Sequence, residues 1–159
     1  MRNEPVNKLG ENALHYFQWS GFIVSLFFWV IPIAYILGIR FWSWPTWIAW
    51  LLIVVCLLIT VLKTAVFPKI VWERWAYAIS EQDIDLAYGL WIRKRTIIPM
   101  VRVQHVDTKQ GPLMHKFALA SVTISTAAGS HEIPALKEEI ADELRDHISL
   151  LARVVEEDV

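Results

Sequence analysis

His105, Asp107, His115 and Ser121 are the residues whose types could together do covalent chemistry. A serine, an imidazole and a carboxylate make an acyl-transfer site under three conditions. The serine must sit on a sharp turn, the base must be oriented by the acid, and an oxyanion hole must be present. Ser121 lies instead in the alternating run "ASVTIST", without a Gly-x-Ser-x-Gly elbow. His105 and Asp107 stand two apart in "VRVQHVDT", which puts them on one face of a strand, within reach of each other. Val101, Val103 and His105 share that face, with Arg102, Gln104, Val106 and Thr108 on the other. His105, His115, His131 and His147 are scattered, with no His-Glu-x-x-His and no cysteine pair, so no metal site is expected. Gly111–Leu113 lacks the remaining glycines and the Lys-Ser/Thr pair of a phosphate loop. "QGP" reads as a tight turn between two strands. No catalytic or cofactor-binding residue emerges, and the expectation is that the chain is not an enzyme.

Arg93, Lys94 and Arg95 form the one concentrated basic run. Two readings stand: an exposed strand alternating into water, or contact with anionic lipid headgroups at about 1 kcal/mol per basic residue. The net charge is −1, and acids dominate after Glu132. No basic face of the kind that binds nucleic acid is present.

The elements that must carry these residues divide sharply. The chain has 159 residues, 55% of them hydrophobic, and a mean hydropathy of +0.40. Ala13–Ile39 and Phe41–Leu62 contain no Asp, Glu, Lys or Arg. A helix of about 20 apolar residues spans the hydrocarbon of a bilayer, so each run is long enough to cross. The first is too long for a signal-peptide core and leads through "LGIRFWSWPTW" straight into the second. Trp19 near the start, Trp42, Trp44 and Trp47 at the turn, and Trp72 and Trp75 after the second run are read as anchors at the two membrane interfaces. Pro32 should kink the first span. Cys56, the single cysteine, lies mid-run and reads as a small buried side chain. Gly21, Ser25, Trp29, Pro32 and Ala34 offer a face for packing against other helices. The turn carries only Arg40, whereas Arg2, Lys8, Lys63, Lys69 and Arg74 flank the other ends. That bias places both termini and the globular part in the cytoplasm.

Beyond Pro68 the pattern is that of short antiparallel strands. "WERWAYAIS" alternates partly at period two, "IDLAYGLWIRKRTIIP" reads as two strands around Gly89, and "ASVTISTAAGSHEIPAL" as a hairpin at Gly129-Ser130. "LKEEIADELRDHISLLARVV" spaces Leu136, Ile140, Leu144, His147/Ile148 and Leu151 at three and four, an amphipathic helix. The expected layout is an N-terminal cytoplasmic segment (1–17), a two-helix transmembrane hairpin (18–66), an α+β domain (69–152) and an acidic tail (153–159). Six or seven strands form a curved sheet or open barrel, capped by the C-terminal helix.

Tyr77–Ile79, Gly89, "IIPMVRVQHV", "QGPL", "ALASVTIST" and "IPAL" occur in this order over most of 72–150. The series resembles the bacterial pleckstrin-homology-like (PH-like) family, membrane-flanked type. The resemblance implies two orthogonal antiparallel sheets closed by a helix, and no established active site. It also implies a larger membrane partner carrying several such domains. Eukaryotic relatives often hold phosphoinositides through a basic first hairpin, but the loop here is "SEQD", whose acids would repel phosphate.

The reading that follows is a non-enzymatic bacterial plasma-membrane protein. It would act as a subunit of a hetero-oligomer, in contact with membrane lipids, and could also self-associate. A role in envelope maintenance or tolerance of membrane-active peptides goes with it. The competing reading is a regulatory subunit of a transporter or export apparatus.

Overall fold

The computed structural model describes Pro5 and residues 7–157. In chain order the elements are β1 (Asn7–Lys8), α1 (Glu11–Phe28), α2 (Val30–Ile39), α3 (Thr46–Val61), a π-helical turn (Leu62–Val66), and α4 (Phe67–Arg74). There follow β2 (Ala76–Ile79), β3 (Asp83–Tyr88), β4 (Lys94–Pro99), a 3-10 turn (Met100–Arg102), β5 (Val103–Lys109), α5 (Pro112–Lys116), β6 (Leu119–Thr126), β7 (Gly129–Lys137) and α6 (Glu138–Glu157). Two compact units result, one of 17–69 and one built from 70–159 together with the residues before Phe17.

The first unit is a helical hairpin. Two helical runs, Glu11–Ile39 and Thr46–Arg74, are each long and apolar enough to cross a membrane. Only 11% and 6% of their most apolar stretches are buried in the protein, whereas the core helix of a soluble domain would be mostly covered. Pro32 separates α1 from α2 because it has no N–H to give the Phe28 carbonyl one turn back. The Cys56 thiol of α3 donates to that carbonyl at 3.3 Å. Next to it, Trp29 Nε1 donates to Thr60 Oγ1 at 3.1 Å, and Thr60 Oγ1 donates to the Cys56 carbonyl at 2.8 Å. Cys56 is therefore more than an apolar filler.

The π-helical turn has a similar origin. Phe67 N–H closes on Leu62 O, five residues back, and Pro68 offers no donor. Lys63 O is left without either helical donor, and Gly21 of α1 comes against it. Ser25 is fully buried, with its hydroxyl on Phe22 O at 2.7 Å, and Pro32 is buried too. Gly21, Ser25, Trp29 and Pro32 thus form the seam within the hairpin. They are not an outward face for other helices, as the sequence had suggested; only Ala34 of that set is exposed.

The second unit holds two antiparallel sheets, β1-β2-β3-β4 and β5-β6-β7. Pro99 and the 3-10 turn carry the chain from one sheet to the other, with Met100 buried between. α6 packs on β5, β6 and β7 through Ala141 and Ile148, both fully buried. Ile84, Leu86, Leu119, Val122, Ile124, Ile133 and Leu136 complete the core. Burying each such side chain contributes about 1.5–3 kcal/mol. Arg145 of α6 donates to Thr108 Oγ1 of β5 at 3.2 Å and pairs with Asp142 and Asp146.

The second unit departs from the sequence reading at five points. The N-terminal segment is not separate: Asn7–Lys8 pairs with Tyr77–Ala76 as an edge strand. Trp72–Arg74 continue the helix instead of opening a strand. "QGP" begins a five-residue helix, since Gly111 is extended and Pro112 has the φ of a first helical position. The stretch from 153 continues α6 to Glu157 and is no distinct tail over those residues. The stripe of α6 also shifts: Ile140 is 39% exposed and Leu136 belongs to β7, while Ala141 and Ile148 face inward.

Candidate functional site

β3 and β4 pair from Asp83↔Pro99 to Tyr88↔Lys94, which leaves Gly89–Arg93 as the turn. Gly89 has φ +135, and a Cβ there would strike the Ile92 carbonyl, so only glycine closes this turn. Lys94 opens β4, and Arg95 lies opposite Ala87. Arg74 ends α4 and its Nη1 donates to Leu90 O at 2.7 Å, fixing the turn. Lys8 enters beside them because β1 pairs with β2 at Lys8↔Ala76. Ala76 and Ala87 are themselves partners, and their small side chains leave room. A cavity of about 270 Å3 results, lined by Lys8, Arg74, Arg93, Lys94 and Arg95, with Glu73 the one acid among the described residues of its wall.

Arg95 has a second commitment. Its Nε donates to both oxygens of Asp85 at 3.0 Å, and Nη2 also reaches Oδ2. Asp85 is only 7% exposed, so this pair neutralises a buried carboxylate. Basic side chains thus outnumber acidic ones among the described residues of the wall. Such an arrangement holds an anion, and a phosphate group most readily, because arginine forks match its oxygens.

The structure therefore brings Arg93, Lys94 and Arg95 together and adds Lys8 and Arg74, which sequence reasoning had counted only as span-flanking charges. It also reveals Trp91 and Ile92 at the turn, 84% and 74% exposed. The signal was present in "GLWIRKR": three successive large apolar residues at a turn, where polar residues are the rule.

The histidines are not gathered. His105 Nε2 lies 3.5 Å from Asp107 Oδ2, and both side chains are exposed. Ser121 is buried, with its hydroxyl directed to Lys109 O at 3.4 Å. His105 pairs with Ser125, four residues along β6 from Ser121, a separation of roughly 13 Å. A bulge at Gln104 breaks the alternation: Val103 faces inward and His105 outward, so the two do not share a face. Val101 falls in the 3-10 turn, outside the strand. Among the described residues no group of three or more His, Cys, Asp and Glu is placed to hold a metal ion.

Trp19, Trp42, Trp44 and Trp47 are exposed on the hairpin, and Trp44 stacks on Tyr35 and Trp42. Trp75 is not an interface anchor: it is buried and stacks on Tyr88 at 5.6 Å. Trp72 gives its N–H to Gly10 O at 3.0 Å. Burial of the Tyr77 phenol raises its pKa above the usual value.

A hairpin of two apolar helices joined to antiparallel sheets and a C-terminal helix defines a membrane-anchored PH-like protein. The chain belongs to the bacterial PH domain family, which matches residues 13–152 and so takes in the hairpin as well. It is 44% identical over the full length of both chains to the UPF0699 transmembrane protein YdbS of Bacillus subtilis (strain 168). It is 30% identical over 77 residues to the UPF0699 transmembrane protein YdbT of the same organism, covering 48% of this chain and 16% of that protein. No solved structure matches the chain significantly.

Proposed function

We propose that this transmembrane protein is a non-enzymatic subunit of a hetero-oligomeric membrane complex whose partner is a larger protein with PH-like domains. The supporting observation is that YdbS, similar from end to end, and the much longer YdbT come from one organism and both resemble this chain. Two physical points agree with it. Gly21, Ser25 and Ala49 are used inside the hairpin, and the broad apolar outer faces, Ala34 among them, are left for lipid or partner helices. Two helices alone are too few to enclose a transport path. The edge strands of the sheets offer backbone groups for docking. On this reading both termini and the PH-like domain are cytoplasmic, in a bacterial plasma membrane, and the complex serves envelope maintenance or resistance to membrane-active peptides.

Mild detergent extraction of a tagged chain, followed by pull-down and mass spectrometry, tests the assembly. A co-purifying larger membrane protein with PH-like domains is expected. Recovery of the monomer alone overturns the proposal. Deletion of the gene should sensitise cells to cationic membrane-active peptides, and unchanged sensitivity removes the envelope role.

A further inference from the structure

The β3–β4 turn combines two features that the assembly reading does not use. Trp91 and Ile92 project from the turn as the two most exposed large apolar side chains among the described residues of the second unit. The next three residues, Arg93, Lys94 and Arg95, wall a cavity together with Lys8 and Arg74. Indole settles at the level of lipid headgroups, with its ring in the acyl boundary and its N–H near water. Lysine and arginine near an anionic surface each add about 1 kcal/mol. The order "WIRKR" sets the apolar pair immediately before the cations, as an interfacial segment requires.

We propose that this turn is a second membrane contact of the protein, specific for anionic phospholipid. Trp91 and Ile92 enter the headgroup boundary, and a lipid phosphate occupies the basic cavity. Two observations favour a bilayer surface over a soluble phosphate compound. A soluble ligand would need the cations but gives no role to an 84% exposed indole two residues along the chain from the cavity wall. Arg74, which fixes the turn through Leu90 O, follows the charge-free run ending at Leu62 by only twelve residues, so the chain tethers the turn close to the bilayer. The turn is held closed by Gly89 and by the Arg74 bond, so little conformational entropy is lost when it docks. The cavity is not the "SEQD" hairpin loop, whose acids disfavour phosphate.

The test uses the full chain with Cys56→Ser and Ile92→Cys, so that an environment-sensitive fluorophore sits beside an intact Trp91. It is reconstituted in vesicles of phosphatidylcholine alone, or of phosphatidylcholine and phosphatidylglycerol in equal amounts. In the mixed vesicles the emission should shift to the blue and be quenched by lipids spin-labelled near the headgroup. In phosphatidylcholine alone it should stay water-like. Arg93→Gln with Lys94→Gln should lower the docked-to-undocked ratio roughly 30-fold, from two cations at about 1 kcal/mol each. Circular dichroism of that variant confirms the fold. Glycerol phosphate at constant ionic strength should leave the emission in mixed vesicles unchanged. Water-like emission in both vesicles, or a blue shift indifferent to the two cations, overturns the proposal. Displacement of the turn by glycerol phosphate assigns the cavity to a soluble phosphate and overturns it as well. None of these outcomes depends on a protein partner, so this contact and the assembly fail separately.

Discussion

Gly21→Ala in α1 sets two effects of opposite sign against each other. Alanine is a better helix former than glycine by about 1 kcal/mol, so on propensity alone the variant gains stability. The hairpin seam decides otherwise. A Cβ at position 21 would lie 2.9 Å from the Lys63 carbonyl carbon and closer still to its oxygen. Carbon pairs rest at about 3.5–4.0 Å, so the two spans must part by about 0.6 Å or more. The obstacle is a backbone carbonyl in the π-helical turn and cannot swing aside as a side chain could. A gap of that size forfeits roughly a quarter of the dispersion energy along the seam. It also lengthens the Trp29–Thr60 and Cys56–Phe28 hydrogen bonds, already 3.1 and 3.3 Å, each worth about 0.6 kcal/mol in a membrane. Overpacking costs about 1–3 kcal/mol, and a clash with a backbone oxygen falls in the upper half of that range; less the gain of about 1 kcal/mol from propensity, the net loss is about 1–2 kcal/mol. Titration of the detergent-solubilised chain with dodecyl sulfate, followed by tryptophan fluorescence, should show an earlier unfolding midpoint. A midpoint equal to or later than that of the parent refutes the argument, because propensity would then outweigh the close approach.

Cys56→Ala should lower the same midpoint by about 0.5–1 kcal/mol through loss of the donor to Phe28 O, and Cys56→Ser should restore it; equal behaviour of the two variants removes the thiol's role. Arg95→Gln strands the buried Asp85 carboxylate, though solvent reaches about a third of the arginine; a loss of about 1–3 kcal/mol in denaturant is expected. Adding Asp85→Asn should recover most of that loss, and a double variant as unstable as the single one contradicts the ion-pair reading. The raised pKa of Tyr77 means that the unfolded chain releases this proton first as pH climbs. Its contribution is intact below about pH 10 and declines as pH rises through the folded-state value. Denaturation midpoints measured between about pH 9 and 11 should fall, and Tyr77→Phe should flatten that slope.

The spans were legible because charge is absent over twenty or more residues, a signal that needs no tertiary information. The hairpin near Gly129 was legible too, though its two-residue turn is Ala127–Ala128, two residues before the turn expected there, and the positive-φ Gly129 with Ser130 already opens β7. β1 was not, since two residues carry no periodicity and only their pairing with Tyr77 and Ala76 makes them a strand. "WERWAYAIS" misled because Trp72 and Trp75 face the same unit from a helix and its end, a spacing of three that period-two reading absorbs. The bulge at Gln104 was invisible because one extra residue reverses the phase without altering composition. For the site, "RKR" was plain in the sequence. Lys8 and Arg74 were not, because their neighbourhood is created by β1 joining β2, a long-range event.

The pairing of Asn7–Lys8 with Tyr77–Ala76 makes the whole membrane anchor an excursion between two neighbouring strands of one sheet. During synthesis the first strand waits for its mate until both spans have left the ribosome, so the sheet is completed late. Trimming the chain to begin near residue 70 would bare the outer edge of Ala76–Ile79 and discard one wall of the basic cavity. A faithful soluble version would instead splice residues 7–10 onto a start near Ile70, so that Lys8 and Arg74 are both kept.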